Sequence, residues 1–416
     1  MTAMQFGILF VVTLCLSTAT RLWLAWRQLR YVAAHRAEVP PQFSAQIDLP
    51  AHQKAADYTA AKTRLSIVSA SLDAFLLLAF TLCGGIQLLS DWSLGVLADP
   101  LLQGMLVIVA VFMIGSLVGT PLDLYATFVI EARFGFNKMT LGLYILDAVK
   151  GVALGALLGL PLLYAILRLM EKMGAYWWVY VWLLWIAFNL LLLFIYPNFI
   201  APLFNKFEPL QDEAAKARID ALLKRCGFTA SGLFVMDGSK RSSHGNAYFT
   251  GFGKTKRIVF FDTLLQRLQP GEVDAVLAHE LGHFKRHHVI QRMVMVFLVS
   301  LVFLWLVAQL MQAEWFYHGL GVQTQTMAIA LLLCFMVLPE FGFLLQPLAS
   351  FYSRKHEFEA DRYAAGQTDA RDLSSALVKL YQDNAKTLTP DPLYATFYES
   401  HPPALERIAH LMESPK

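Results

Sequence analysis

The stretch LAHELGHFKRHHVIQRMVMVFLVSLVFLWLV, residues 277–307, joins two kinds of sequence that are usually found in different proteins. Its first part contains HELGH at 279–283, in which two histidines stand four residues apart, a spacing typical of metal ligands on a helix. From Val289 onward the stretch is apolar enough to cross a bilayer. The fold must therefore hold a polar site at the end of a membrane helix.

The composition of the 416 residues is that of a membrane protein. Hydrophobic residues make up 56% and charged residues 16%, and the mean hydropathy is +0.49; a soluble protein carries about 25% charged residues. The net charge of +3 is too small to indicate a nucleic-acid partner. The four cysteines form no CxxC pair, so neither a cysteine-zinc site nor a disulfide framework is indicated.

Seven segments are long and apolar enough to span a membrane, which takes about 20 mostly apolar residues in a helix. The first is interpreted as a retained span, because it lacks the basic n-region and the small-residue cleavage site of a secretory signal. The predicted spans are 5–26, 66–90, 102–126, 143–168, 176–198, 289–312 and 326–350.

A few charged residues lie inside these spans, away from their basic ends. A charge at such depth is expensive, so its side chain should face protein or a water-filled interior rather than lipid. Each is expected either to make a structural contact between helices or to line a cavity. They are Asp73, Asp123, Asp147, Lys150 and Glu340.

Basic residues are concentrated in alternate loops. The first loop holds six lysines and arginines and the third holds two, whereas the second and sixth hold none. The fourth loop is a mild exception, with Arg168 and Lys172 at its edge. The positive-inside rule then predicts that loops one, three and five are cytoplasmic, with the N-terminus outside and the C-terminus inside.

The predicted division of the chain follows from this topology. Residues 1–198 form spans one to five with their loops, and residues 199–288 form a cytoplasmic loop that ends with HELGH. Residues 289–350 form spans six and seven, and residues 351–416 form a cytoplasmic tail.

The end of the cytoplasmic loop, GEVDAVLAHELGHFKRHH, predicts a helix. Gly271 and Glu272 fit a helix start, and apolar residues follow at helical spacing. On that helix His279 and His283 project from one face, which suits zinc bound by imidazole nitrogen at about 2.0–2.1 Å. Glu280 can reach a metal-bound water without ligating the metal, which is the role of a general base.

A catalytic zinc needs a third protein ligand and an open position for water. The metzincin class would have a glycine at 286 and a histidine at 289, where this chain has Arg286 and Val289, so that class is excluded. Of the glutamates that follow, Glu314 lies across the membrane and Glu340 lies too deep within span seven.

The remaining candidates are in SRKHEFEADRYAA, which span seven returns to the same side as HELGH. Glu357 and Asp361 share a helical face, whereas Glu359 points elsewhere. We therefore expect Glu357 to be the third ligand and Asp361 to accept a hydrogen bond from the outer N–H of a zinc-bound histidine. Three other histidines, of which the first could in principle bind metal, are interpreted as surface residues: His287, His288 and His356.

With HELGH, two membrane spans and then EFEAD, the sequence resembles the CAAX prenyl protease family of integral-membrane zinc endopeptidases. The similarity continues in RFGFNKMT (133–140), NAYFTGFGKTKRIVFFDTLL (246–265) and SHPPALERI (400–408). The resemblance implies an all-α membrane protein with seven transmembrane helices in a ring around a water-filled chamber. It also implies a cytoplasmic peptidase domain with a small β hairpin or sheet and one zinc ion per chain.

Further site residues follow from the same segments. Asn246 and Ala247 open a strand-like run, similar to the edge strand of thermolysin-type peptidases that pairs with an extended substrate; a plain hairpin strand is the alternative. His401, held extended by the prolines after it, is expected to stabilise an oxyanion or else to pack the tail. Arg407 is expected to bind the substrate carboxylate or to anchor the tail.

The predicted reaction is hydrolysis, in which zinc and Glu280 activate a water and His401 stabilises the oxyanion. Glu280 then passes the proton to the leaving amine. No GxSxG motif is present, so no acyl intermediate is expected.

The expected substrates are CAAX-type prenylated or hydrophobic peptides, met at the lipid bilayer; eukaryotic members of the family remove the last three residues of such proteins. A broad-specificity quality-control protease with the same zinc site is the alternative. A transporter would leave the pairing of HELGH with EFEAD unexplained. The short outer loops favour a bacterial inner membrane.

Overall fold

The computed structural model describes residues 1–250 and 257–413. Within these ranges, seven helices are long and apolar enough to cross a membrane. The helices up to the fifth span are α1 (Ala3–Ala34), α2 (Leu49–Phe80), α3 (Gly85–Val96), α4 (Pro100–Tyr125), α5 (Leu141–Lys172) and α6 (Trp177–Ile195). Turns of π-helix continue α4 over Ala126–Glu131 and α6 over Tyr196–Ile200.

A small domain, which we call the catalytic segment (residues 201–285), follows the fifth span. Its elements are α7 (Ala201–Phe204), β1 (Phe207–Pro209), α8 (Glu213–Arg225), β2 (Gly232–Met236), β3 (Ala247–Thr250), β4 (Arg257–Phe261), α9 (Asp262–Leu265) and α10 (Pro270–Lys285). The described strands form a sheet of order β1-β2-β4-β3, in which β2 and β4 run parallel and the other pairs antiparallel. The expected small sheet is confirmed. Residues 251–256 of the segment 246–265 lie outside the described residues.

The remaining helices are α11 (His288–Leu310), α12 (Glu314–Gly319), α13 (Met327–Gly342), α14 (Gln346–Ala365), α15 (Ala370–Asp383), α16 (Pro392–Tyr398) and α17 (Ala404–Glu413). A single turn of 3₁₀-helix, Phe343–Leu345, joins α13 to α14. The helix of the last span is therefore followed by α14 with no intervening loop. Residue 351, where the predicted tail begins, lies within α14. The helix that returns from the membrane is the helix that carries EFEAD.

The predicted second span, 66–90, is wrong at its C-terminal end. Helix α2 ends at Phe80, and the chain turns before α3 begins at Gly85. Gly84 in this turn has φ +80°, a left-handed conformation that glycine adopts without a steric penalty. Hydropathy did not reveal the turn because α3 is itself apolar.

The spans close into a ring. Each contacts the next in chain order, from α1 to α2, α4, α5, α6, α11 and α13, and α13 contacts α1 again. A cavity of about 1390 Å³ lies between α11, α14 and the end of α10. The architecture is thus the expected ring with a small domain at one end.

The first and third loops, the catalytic segment and the tail gather at the same end of the ring. Phe43 of the first loop packs in an apolar cluster with Tyr381 of the tail. The Ser243 N–H of the catalytic segment donates to the Phe136 carbonyl of the third loop at 3.1 Å. These contacts group the loops as the charge distribution predicted.

The opposite end of the ring holds the N-terminus with the second and sixth loops. The rings of Phe6 and Trp315 meet edge to face with centroids 5.0 Å apart. The Gln323 N–H donates to the side chain of Gln87 at 2.8 Å. The N-terminus and the catalytic segment are therefore at opposite ends of the spans.

Most of the charged residues within the spans make structural contacts. Asp147 accepts a hydrogen bond from the Arg241 guanidinium at 2.8 Å, and the Lys150 ammonium donates to a backbone carbonyl at 2.8 Å. Glu340 lies 3.6 Å from the Arg21 guanidinium. For these three residues the structure favours the first of the two expected roles.

Candidate metal centre

The helix α10 is fixed at its start by a capping interaction. Pro270 occupies the first helical position, where no N–H is needed, and the Gln269 N–H donates to Glu272 Oε2 at 2.7 Å. Val273 and Leu277 are buried on the inner face of the helix. The predicted helix is confirmed, and its apolar face seats HELGH against the domain core.

Two histidines of α10 and a glutamate of α14 converge at the end of the cavity. The Nε2 atoms of His279 and His283 are 3.2 Å apart. Glu357 Oε2 lies 3.5 Å from the first and Glu357 Oε1 lies 3.4 Å from the second. Neighbouring ligands of a tetrahedral zinc ion, bound at about 2.0–2.1 Å, are separated by about 3.4 Å. The three groups therefore have the spacing of zinc ligands.

The outer nitrogen of His279 faces the carboxylate of Asp361. Its Nδ1 lies 2.8 Å from Asp361 Oδ1, which leaves the Nε2 lone pair directed at the site. Burial lowers the pKa of His279, but the carboxylates of Asp361 and Glu357 have the larger, opposite effect and raise the pKa to about 9. Glu357 Oε2 is buried without a hydrogen-bond partner among the described residues. Such an oxygen is costly unless a cation binds it, so the donor set fits a metal ion.

His283 is held in a different way, through a second histidine. Its Nδ1 lies 3.0 Å from His288 Nδ1, and His288 Nε2 lies 3.1 Å from Glu359 Oε2. His288 is 2% exposed, and the ring of His356, 3% exposed, stacks on it at 3.9 Å. The surface placement of His288 and His356 is therefore wrong, whereas His287 is exposed as expected.

Arg407 is buried behind the two carboxylates of α14. Its guanidinium donates to both oxygens of Asp361, from Nε at 2.8 Å, and lies 3.7 Å from Glu357 Oε2. The residue is 5% exposed. Its charge offsets that of Asp361 and Glu357 within the protein.

Glu280 faces the cavity together with His283, Glu357 and His401. Burial raises the pKa of the Glu280 carboxyl, although the adjacent His279 and His283 oppose the shift. A carboxylate with a raised pKa accepts a proton more readily, which is the property a general base requires.

His401 lies at the rim of the same site. Its side chain is 53% exposed, its Nε2 lies 3.5 Å from Glu357 Oε1, and its Nδ1 lies 3.0 Å from the Ser400 hydroxyl. Desolvation in the cleft lowers the pKa of His401, although Glu357 opposes this, and Arg407 lowers it further. A neutral ring that accepts from Ser400 carries its proton on Nε2, toward the site.

The run that begins at Asn246 and Ala247 forms strand β3 at the edge of the sheet. The Asn246 carbonyl accepts from the Phe261 N–H at 3.0 Å, which fixes the start of the strand. Tyr248, Phe249 and Thr250 of β3 line the cavity. An edge strand thus borders the space beside HELGH.

Two family descriptions together match nearly the whole chain. Residues 28–206 match the CAAX prenyl protease N-terminal region, described as five membrane helices. Residues 209–414 match peptidase family M48. The boundary between the two matches falls where the catalytic segment follows the fifth span.

Similar proteins match along most of their own length. CAAX prenyl protease 1 of Saccharomyces cerevisiae is 33% identical over 94% of this chain and 91% of that protein. The CAAX prenyl protease 1 homolog of Homo sapiens is 33% identical over 97% and 95%, and that of Arabidopsis thaliana 41% identical over 69% and 68%. The crystal structure of S. mikatae Ste24p matches with a TM-score of 0.91 at 31% identity, covering 98% of this chain and 99% of that chain.

Proposed function

Because the chain belongs to the CAAX prenyl protease family of membrane metallopeptidases, within peptidase family M48, we propose that it is a zinc endopeptidase. It hydrolyses peptide bonds near the C-terminus of prenylated CAAX-type or otherwise hydrophobic substrates. The observation that most supports this proposal is the 3.2–3.5 Å spacing of the inner nitrogens of His279 and His283 and the carboxylate of Glu357.

His279, His283 and Glu357 would hold one zinc ion per chain. A bound zinc ion supplies Lewis-acid polarisation of a peptide carbonyl and acidifies a bound water. The buried Asp361 accepts from the outer nitrogen of His279 and so keeps the inner lone pair of that ring available.

The proton transfers belong to Glu280. It takes a proton from the attacking water and delivers it to the leaving amine, and its burial keeps its pKa high enough for both steps. His401 donates its Nε2–H to the oxyanion that develops on the carbonyl oxygen of the scissile bond. Its exposed position at the rim of the cavity allows contact with a substrate.

The substrate is positioned by the edge strand β3. A peptide added beside Ala247 would form main-chain hydrogen bonds, with Asn246 fixing the start of the strand. Two of the three guanidinium nitrogens of Arg407 donate to Asp361, and the residue is 5% exposed, so we assign it the anchoring role rather than the binding of a substrate carboxylate.

The catalytic end of the ring faces the cytoplasm and the N-terminus lies outside, in a bacterial inner membrane. The basic residues of the first and third loops support this orientation, since these loops pack with the catalytic segment and the tail. A substrate that carries a lipid would reach the cavity between α11 and α14 from the bilayer.

The experiment that tests the proposal compares the wild type with Glu280→Gln in detergent. A farnesylated CAAX peptide should be cleaved by the wild type and not by the variant, while both retain zinc. Cleavage by the variant at the wild-type rate would refute the general-base assignment. Cleavage of unfolded membrane proteins with the farnesylated peptide left intact would favour the quality-control alternative, and zinc without any peptidase activity would refute both.

A further inference from the structure

A chain of three side chains leads away from the metal centre to the surface of α14. His283 contacts His288 at 3.0 Å between their Nδ1 atoms, and His288 contacts Glu359 at 3.1 Å between Nε2 and Oε2. The first member belongs to α10, the second opens α11 and the third lies on α14. The chain therefore ties together the three helices that meet at the site.

The proton positions along this chain follow from its chemistry. Two neutral imidazoles whose Nδ1 atoms lie 3.0 Å apart share one proton, so one ring donates and the other accepts. Glu359 is a carboxylate, which accepts only, so His288 must carry its proton on Nε2. His288 Nδ1 is then an acceptor, and the proton between the rings belongs to His283.

We propose that Glu359 and His288 are positioning residues that set the tautomer and the orientation of the metal ligand His283. With its proton on Nδ1, His283 presents the Nε2 lone pair to the metal, 3.2 Å from His279 Nε2. In the opposite tautomer Nε2 carries the proton and does not bind a metal. This inference rests on the proposed zinc site and extends it to residues that touch neither the zinc nor the substrate.

The ring of His288 is itself held in place. His356 stacks on it with an interplanar angle of 5°, and the Tyr352 ring meets His356 edge to face at 4.3 Å. The Tyr352 hydroxyl donates to the Gln291 side chain at 3.0 Å. The stack prevents rotation of His288, so the direction of its Nδ1 lone pair is fixed by packing on α14.

The two zinc histidines are thus oriented unequally. Asp361 accepts directly from His279, whereas Glu359 acts on His283 through an intervening imidazole. Asp361 is fully buried, while the Glu359 side chain is 32% exposed. Removal of Glu359 should therefore leave the fold intact and remove the constraint on the tautomer.

The test measures zinc affinity, by competition with a chelator, for the full-length protein in detergent. Loss of an outer partner of a ligating histidine lowers metal affinity by about 10–100-fold. We expect a loss in this range for Glu359→Ala and for His288→Leu. Glu359→Gln keeps an acceptor oxygen for His288 Nε2–H and should recover most of the affinity. The rescue distinguishes positioning from packing, since Gln and Glu fill the same volume.

The matched control is His287→Asn, which alters the adjacent exposed histidine at a left-handed position that asparagine tolerates. Its zinc affinity should equal that of the wild type. Wild-type affinity in Glu359→Ala and His288→Leu, or an equal loss in His287→Asn, would overturn the proposal. A wild type without zinc would instead refute the proposed function, so the two failures are distinguishable. If His288→Leu does not fold, the two variants at the partly exposed Glu359, Glu359→Ala and Glu359→Gln, still decide the question.

Discussion

Among single residues, Arg407 could either anchor the tail or bind a substrate carboxylate, and its contacts favour the anchoring role. Asp361 is 0% exposed, and the Arg407 guanidinium occupies both of its oxygens. Removal of one partner from a buried ion pair costs about 3–5 kcal/mol, because the other charge is left uncompensated. Arg407→Met should therefore lower the unfolding temperature, and Arg407→Lys should restore little, since lysine cannot bridge both oxygens.

The control for this prediction is Arg371→Met. Arg371 pairs with Asp369 at the surface, where its side chain is 79% exposed, so the substitution should leave the unfolding temperature nearly unchanged. Thermal unfolding is the measurement, combined with the KM for peptides that end in a free carboxylate or an amide. An unchanged unfolding temperature with a raised KM for the carboxylate alone would show that Arg407 binds substrate.

The residues expected to form the metal site could be found from the sequence because spacing on a helix is local information. His279 and His283 share a face of α10, and Glu357 shares a face of α14 with Asp361. The outer partners of His283 were missed because the contact crosses the junction between α10 and α11, where helical periodicity ends. Glu359 was expected to point away from the metal ligands, and it is connected to His283 only through His288.

At the scale of elements, the glycine of HELGH sets the distance between α10 and α14. A Cβ at Gly282 would lie 2.9 Å from Ala360 Cα and 3.1 Å from Ala360 O, both backbone atoms. Gly282→Ala should push α14, and Glu357 with it, away from the histidines. Overpacking of this kind costs about 1–3 kcal/mol, and zinc affinity should fall as well.

The comparison variant is Gly151→Ala within α5, where an added Cβ meets nothing within 4 Å. It should be neutral or slightly stabilising, because alanine favours a helix over glycine by about 1 kcal/mol. Thermal unfolding and chelator competition on both variants provide the measurement. Unchanged zinc affinity in Gly282→Ala would mean that the two helices do not set the ligand spacing.

The contact between α10 and α15 should make the free energy of unfolding depend on pH in the acidic range. Glu272 accepts from the Lys379 ammonium at 2.7 Å and the Ser375 hydroxyl at 2.6 Å. Burial raises the pKa of Glu272, but these partners and a backbone N–H bring it below its ordinary value. A lowered folded pKa stabilises the protein above the unfolded pKa of about 4.3, and that stabilisation is lost as the pH falls through the folded pKa.

Thermal unfolding from pH 6 down to pH 3 tests this dependence. Below about pH 4.3 the wild type should lose stability more steeply than Glu272→Gln, which cannot titrate. At neutral pH the variant should be less stable by about 1.5–3 kcal/mol, the value of hydrogen bonds to a charged group. Parallel curves for the two proteins would show that the Glu272 carboxylate contributes nothing.

Elements were predicted best where a single hydropathy signal was long and uninterrupted. The span α11 begins at His288, one residue from the predicted start at 289. The end of α2 and the pairing of β2 with β4 were not foreseen. The first depends on a glycine turn between two apolar helices, and the second joins strands that are distant in sequence, so neither leaves a local pattern.

At the scale of the whole molecule, the ring has two ends with different contents. The catalytic segment, the tail and the basic loops share one end, and the N-terminus lies at the other. Glu38 is exposed in the first loop, and Cys83 is exposed in the turn between α2 and α3. The two positions should therefore face opposite compartments.

A membrane-impermeant thiol reagent applied to intact cells checks the orientation. Cys83 should be labelled from outside, and Cys83→Ser should remove the signal. Glu38→Cys in the Cys83→Ser background should be labelled only after the cells are lysed, because the charged reagent does not cross the bilayer. The reverse pattern would place the catalytic end outside.

We propose that α10, which precedes the last two membrane spans, and α14, which follows them, together hold a zinc ion. The direct measurement is the zinc content of the purified protein and of four variants. We expect about one zinc per chain in the wild type and in Glu280→Gln, and loss of zinc in His279→Ala, His283→Ala and Glu357→Ala. A full zinc content in Glu357→Ala, or a wild type without zinc, would contradict it.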